Sequence, residues 1–390
     1  MPNLHKVMRS ASPEGQYRFC ELVQVNDASL NGEAFALKQT THIDQVFEDI
    51  MANNASHFAE IEEVATRIVR IVQNGGYKFL PKQHDEPFVF NPYDRVIKLL
   101  LNSDWLVEQA EMRQFASYYR FGKMWDSYRL DSVVEPQKST LLDNFKLALG
   151  KVCRRNLCRV ERFTYDREHH RGGHRRLLHL EIFLEGDPSV VNELDQGEEL
   201  QPTIVFPAHE FALTHEYKSG KIEVVAPTRA MRNLLSEIYV KEVLGLNDAP
   251  ERITPRSFGL DHLRQRPVFT CQPNDRIDCV HVTGLKCKSL IDGTFWELNV
   301  PKEHLFKKDV YDSARDNDLD GHIESEAGFR VVEATIHILK REQGRVAKKT
   351  AIPVRFKEPN RHNLREMDEQ DRLVVQRMLV DSGIIDEDDQ

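Results

Sequence analysis

Hydrophobic positions recur along this chain at two different periods, and the change from one to the other divides it. From Thr41 the apolar residues fall at helical spacing: Ile43, Val46, Phe47 and Ile50 share one face. Phe58, Ile61, Ala65, Ile68 and Val72 share another, with Gly75-Gly76 as a stop. Val96 to Tyr119 and Leu141 to Val152 continue in helical register. From Leu177 the period becomes two: Leu178, Leu180, Ile182 and Leu184 alternate with His179, Glu181, Phe183 and Glu185, as in a half-buried strand. The pattern predicts an α+β protein, a helical N-terminal bundle followed by a mixed, mainly antiparallel β-rich region. The corresponding domains are 1–160 and 161–390, with a sub-boundary near 250. Ahead of the bundle, Tyr17 to Val25 and Ala34 to Leu37 are β-type runs separated by Asn-Asp and Asn-Gly turn signals, which predicts a small hairpin.

Within the strand region, 188–202 reads as an acidic connector and Ile204 to Tyr217 as a strand pair. The turn Lys218-Ser219-Gly220-Lys221 leads into a strand over Ile222 to Ala226. Thr228 then caps a helix whose Met231, Leu234, Leu235, Ile238 and Leu244 face inward, ending at Gly245. The C-terminal part predicts a hairpin-helix unit, Val331 to Leu339 and Val346 to Phe356 joined at Gln343-Gly344-Arg345. Its helix begins at a capping box of Asn363 and Glu366, carries Leu364, Met367, Val374 and Met378 as a stripe, and ends at Gly383.

Composition narrows the class. In 390 residues, 40% are hydrophobic and 29% charged, enough for real cores and unlike a collagenous or low-complexity chain. The six cysteines never fall at C-x-x-C spacing, which predicts reduced core thiols rather than a zinc ribbon. No apolar run approaches the ~20 residues a membrane crossing needs, so no membrane partner is expected and the cytoplasm is the expected compartment.

Charge changes the picture most. The formal net charge is −9, yet residues 151–176 hold nine Lys or Arg against three acids. Clustered arginines beside Phe163 and Tyr165 are the electrostatic footprint of phosphate binding. Arg154, Arg155, Arg159, Arg171, Arg175 and Arg176 are the candidate contacts, the last three flanking Gly172-Gly173 and expected to be exposed. A second basic stretch, 340–361, adds Arg345, Lys348 and Lys349. The expected function is a non-enzymatic binding or regulatory protein that contacts nucleic acid or an acidic partner through these two segments. One alternative is a metal-dependent hydrolase or nuclease using His174, His179 and Glu181, with His209 and His215 as partners from another strand; apolar neighbours argue that the latter two are core histidines. A protein–protein scaffold subunit is the other. Asp316, Asp318 and Asp320 followed by Gly321 match the first half of an EF-hand loop, but Ala327 stands where the twelfth ligand belongs, so at most a weak divalent cation is expected as cofactor. No nucleophile-elbow motif is present.

Overall fold

A computed structural model describes residues 3–24, 57–80, 91–120, 123–130, 141–169, 171–194, 200–253, 258–305, 307–317, 328–341, 349–358, 361–364, 367 and 369–385. The chain forms two compact units, Met1–Tyr119 and Arg120–Gln390. The predicted strand Ala34 to Leu37 and the predicted helix around Ile43 to Ile50 lie outside the described residues.

The first unit is helical: α1 (Asn3–Ser10), α2 (Pro13–Leu22), α3 (Phe58–Gln73), α4 (Pro92–Asn102) and α5 (Asp104–Tyr119). Tyr17 to Leu22, expected as strand, is helix instead. The Ser12 side chain accepts from the Gly15 N–H, and Pro13 at the first helical position needs no donor partner. Asn91 and Pro92 repeat the device at α4. What runs in sequence as one helical stretch breaks at Ser103 into α4 and α5. Leu4, Val7, Phe19, Ile61, Ile68, Val96 and Val107 meet in one core.

The second unit carries two antiparallel sheets. Its first sheet has the order β2-β3-β6-β7-β1-β8, formed by β1 (Trp125–Arg129), β2 (Cys158–Glu168), β3 (His174–Glu185), β6 (Ala208–Glu216), β7 (Lys221–Val225) and β8 (Glu251–Ile253). Helices α6 (Leu141–Cys153) and α7 (Arg229–Glu242) cover one face, where Phe145, Leu149, Leu235 and Tyr239 pack on Leu178, Leu180, Leu213 and Val224. The period identified α6 as a helix but not the surface it packs on, and that surface is this sheet. Asp126 on the same face accepts from Arg232 of α7 and Arg252 of β8, tying helix and edge strand to the sheet. The segment expected as an acidic connector instead builds β4 (Ser189–Leu194) and β5 (Leu200–Val205), a separate two-stranded ribbon. Val190, Val191 and Ile204 supply the β-branched residues that override the acidic composition.

After β8 the chain enters the second sheet, ordered β10-β9-β11-β12-β13. Its strands are β9 (Ile277–Ser289), β10 (Phe295–Asn299), β11 (Phe329–Arg341), β12 (Lys349–Lys357) and β13 (Arg361–His362). One face packs against α8 (Val310–Asp316) and α9 (Glu369–Asp381) through Leu285, Ile336, Val354, Tyr311, Val375 and Leu379. The β11–β12 hairpin followed by α9 is the predicted C-terminal unit. Its helix starts later than expected, because Asn363 does not cap it: the side chain donates to the Pro353 carbonyl and accepts from the Arg355 N–H, standing beside β12. Gly383, at φ 72°, ends the helix where expected. No described helix is long and apolar enough to cross a membrane.

Candidate functional site

The two faces of the first sheet differ sharply. Opposite α6 and α7, strands β2, β3, β6 and β7 turn Arg167, Arg175, His179, Glu181, Thr214, Glu216, Lys221 and Glu223 to one side, as their pairing register requires. His179 and Glu181 meet there: His179 Nε2 lies 2.7 Å from Glu181 Oε2, and His179 Nδ1 3.1 Å from Thr214 Oγ1. Burial, with the nearby Glu210, pushes the Glu181 carboxyl well above the usual carboxylate range, which favours a neutral, hydrogen-bonded array. Hydroxyl, imidazole and carboxyl stand in the order used for acyl transfer, but the exposures of His179, Glu181 and Thr214 are 0%, 0% and 4%, and Phe163 packs on the imidazole. A substrate has no approach to this array. His174 lies at the start of β3, exposed and opposite Glu168, five residues along the strand from His179. Among the described residues no three His, Cys, Asp or Glu side chains gather as a metal site requires.

His215 faces the helices. It is fully buried, with Nδ1 2.9 Å from the Tyr239 hydroxyl, and burial pushes its pKa down to about 4. His209, expected as a core histidine, is instead exposed near the start of β6, on the same strand face beside Phe211. Asp316 ends α8 and pairs with Lys308 at 2.5 Å; Asp318 and Asp320 lie outside the described residues.

Further along the polar face, the Glu223 carboxylate accepts from Arg120 and Arg167, with the Lys221 ammonium 3.7 Å away. Those three cations hold Glu223 well below the usual carboxylate range, against the opposing effect of burial, and burial pushes Lys221 down to about 8. Glu216 in turn accepts two hydrogen bonds from Arg175, whose other nitrogen lies 2.6 Å from His169 Nε2. A guanidinium only donates, so Nε2 is the acceptor here. This chain of contacts runs from the sheet to the end of the β2–β3 hairpin and fixes its position.

That hairpin end forms one wall of a cleft of about 710 Å³. Glu168, His169 and Gly172 of the hairpin line it together with Arg276, Lys340, Arg341 and, from α9, Arg377. The volume is in the ~300–1,000 Å³ range common for ligand clefts. Gly172 and Gly173, at φ 85° and 81°, let the hairpin turn close with no side chain intruding. Three of the four lining cations have carboxylate partners: Lys340 with Asp371, Arg341 with Asp278, and Arg377 with Asp275. Arg276 is exposed and makes no ion pair among the described residues.

The sequence candidates distribute unevenly around this cleft. Arg171 is exposed within the hairpin turn itself, and Arg176 is exposed with a 3.3 Å contact to Thr164. Arg175, expected to be exposed with them, is half-buried and taken up by Glu216, because its register position points it onto the polar face. Arg155 pairs with Asp187 and Arg159 with Glu161, while Arg154 is exposed at the end of α6. Arg345 and Lys348, and the side chain of Lys349, lie outside the described residues. Sequence reasoning missed Arg276 and Arg377. The Pro273-Asn274-Asp275 turn signal stands beside the first, but nothing local links either to the hairpin. Comparison of the chain with protein-family models and with curated proteins finds no match.

Proposed function

We propose that this protein binds a nucleic-acid strand across the cleft between the β2–β3 hairpin and the start of β9. The observation that supports it is the meeting of two stretches remote in sequence at one cleft: His169 and Gly172, next in sequence to the exposed Arg171, come from the first, and Lys340 and Arg341 from the second. Arg341 remains usable: it is more than half exposed, and its guanidinium has N–H donors beyond the one that holds Asp278, so it can meet a phosphate while staying paired. Glu168 lines the same cleft and disfavours an anion beside its carboxylate, so its neutralisation is expected to strengthen binding.

The test is a fluorescence-anisotropy titration of a labelled single-stranded oligonucleotide at several salt concentrations. Each phosphate contact removed flattens the log K against log salt slope by about 0.7, so Arg171→Ala with Arg276→Ala lowers it by about 1.4. Glu168→Gln raises affinity at every salt concentration. Slopes that coincide while both proteins bind overturn the reading. So does retention on polyglutamate without retention on the oligonucleotide, which assigns the cleft to an acidic protein instead.

A further inference from the structure

We infer that the β9–β10 hairpin of the second sheet is an attachment point for an anionic lipid surface. Its tip carries three large apolar side chains in water: Leu290, Ile291 and Phe295 are 62%, 90% and 57% exposed. A turn that displays such residues without packing them has either a partner or a cost in solubility. The remaining question is which partner its chemistry fits.

Backbone hydrogen bonding gives the first argument. Every N–H from Ser289 to Thr294 donates within the protein: Ser289 to the Thr294 carbonyl, Leu290 to the Gly328 carbonyl, and Ile291 and Asp292 to the Ser289 hydroxyl. Gly293 donates to the Ser289 carbonyl and Thr294 to Asp292 Oδ1. The tip therefore leaves water without stranding an N–H, one part of the condition an apolar phase imposes on irregular backbone. Gly293, at φ 74°, closes the turn tightly enough for this pattern.

Charge gives the second. Immediately behind the tip, Lys288 stands opposite Phe295, Lys286 opposite Glu297, and Arg330 beside Lys288 on β11; Lys286 pairs with Glu333 and Arg330 with Glu358, so Lys288 is the cation of this collar with no ion pair among the described residues. Both lysine ammonium groups lie over the Phe295 ring, 5.3 and 5.8 Å from its centroid. At ~3.3 Å per residue, this collar lies roughly 3 to 10 Å above the turn. An interfacial element seats its apolar part ~5–10 Å deep, so the cations reach the level of lipid headgroups. Asp292 opposes insertion, but its carboxylate is turned back onto Thr294, accepting from both its N–H and its hydroxyl. The lack of a spanning helix concerns crossing a bilayer and does not bear on surface attachment.

Co-sedimentation of the full chain with phosphatidylcholine vesicles, with and without about a third phosphatidylserine, tests the inference. Retention is expected on the anionic vesicles and much less on the neutral ones. Ile291→Ser lowers partitioning roughly tenfold, from the transfer free energy of a large aliphatic side chain. Lys288→Ala lowers it about fivefold on anionic vesicles only. Asp292→Asn keeps the Oδ1 acceptor and raises it. Arg276→Ala, in the cleft, leaves it unchanged, which separates this surface from the nucleic-acid reading. No retention on anionic vesicles overturns the inference and assigns the tip to a protein pocket. Retention that Ile291→Ser leaves intact, or that Arg276→Ala abolishes, overturns it too.

Discussion

Replacing Glu223 by Gln should destabilise this protein more than most surface or core changes. The carboxylate is almost fully buried and is the acceptor for Arg120 at 2.8 and 3.1 Å and Arg167 at 3.1 Å, with Lys221 close by. An amide of the same shape keeps the packing and removes the charge. Breaking a buried ion pair by deleting one partner costs about 3–5 kcal/mol, because the other charges stay buried without compensation. For a unit of this size 1 kcal/mol moves Tm by roughly 2–4 °C, so a drop of about 10 °C at pH 7 is expected in a circular-dichroism melt. Lys221 supplies a second readout. Its pKa is already pushed down to about 8 from 10.5, so between those values the unfolded chain holds a proton that the folded chain has released. Stability attributable to Lys221 therefore rises with pH across that window. Without Glu223 to attract it, Lys221 sheds its proton at still lower pH, and the deficit of the variant should shrink between pH 7 and 9. A Tm within about 2 °C of wild type, or a deficit that widens with pH, refutes the reasoning.

Other outcomes are expected. His215→Ala should cost about 1–3 kcal/mol at neutral pH in urea unfolding. Because His215 resists protonation until about pH 4, the wild type loses roughly 3 kcal/mol as pH falls from 6.5 to 4, and the gap between the two proteins should close over that window. Asp126→Asn releases Arg232 and Arg252 together and should cost about 3–5 kcal/mol, read as a lower melting temperature. Gly284→Ala places a Cβ 2.7 Å from Asn299 Oδ1 and 3.3 Å from Thr335 Cβ, and should cost about 1–3 kcal/mol in the same melt. Asp316→Ala breaks only a half-exposed pair with Lys308 and should change stability by less than about 0.5 kcal/mol.

Periodicity reached the fold class and the C-terminal hairpin because those are local statements: alternation over Val331 to Leu339 depends only on which face is buried. It failed where context decides. Tyr17 to Leu22 is rich in strand-forming types, yet the Ser12-Pro13 start and contact with α4 make it helix. The strand Trp125–Arg129 was not read at all, since Asp126 and Ser127 look like turn residues until Arg232 and Arg252 are in place around them. Of the candidate site, the hairpin Arg171-Gly172-Gly173 was legible as a charge cluster with a turn. Arg276 was not, because its relevance comes from a wall contributed by a distant part of the chain.

Asn363 and Pro353 together have a consequence for how this protein meets other chains. In β12 the groups of residues 353 and 355 point away from β11, toward the rim of the second sheet. Proline offers no N–H there, and the Asn363 amide occupies the remaining donor and acceptor as an extra strand would. Strand addition is thereby blocked at residues 353 to 355, next to the short β13 that covers Phe356 and Lys357. An extended peptide recruited by strand addition meets a longer edge at β10, the opposite rim, alongside Phe295 to Asn299. The sheet has a direction of assembly, set by one side-chain amide and one imino acid.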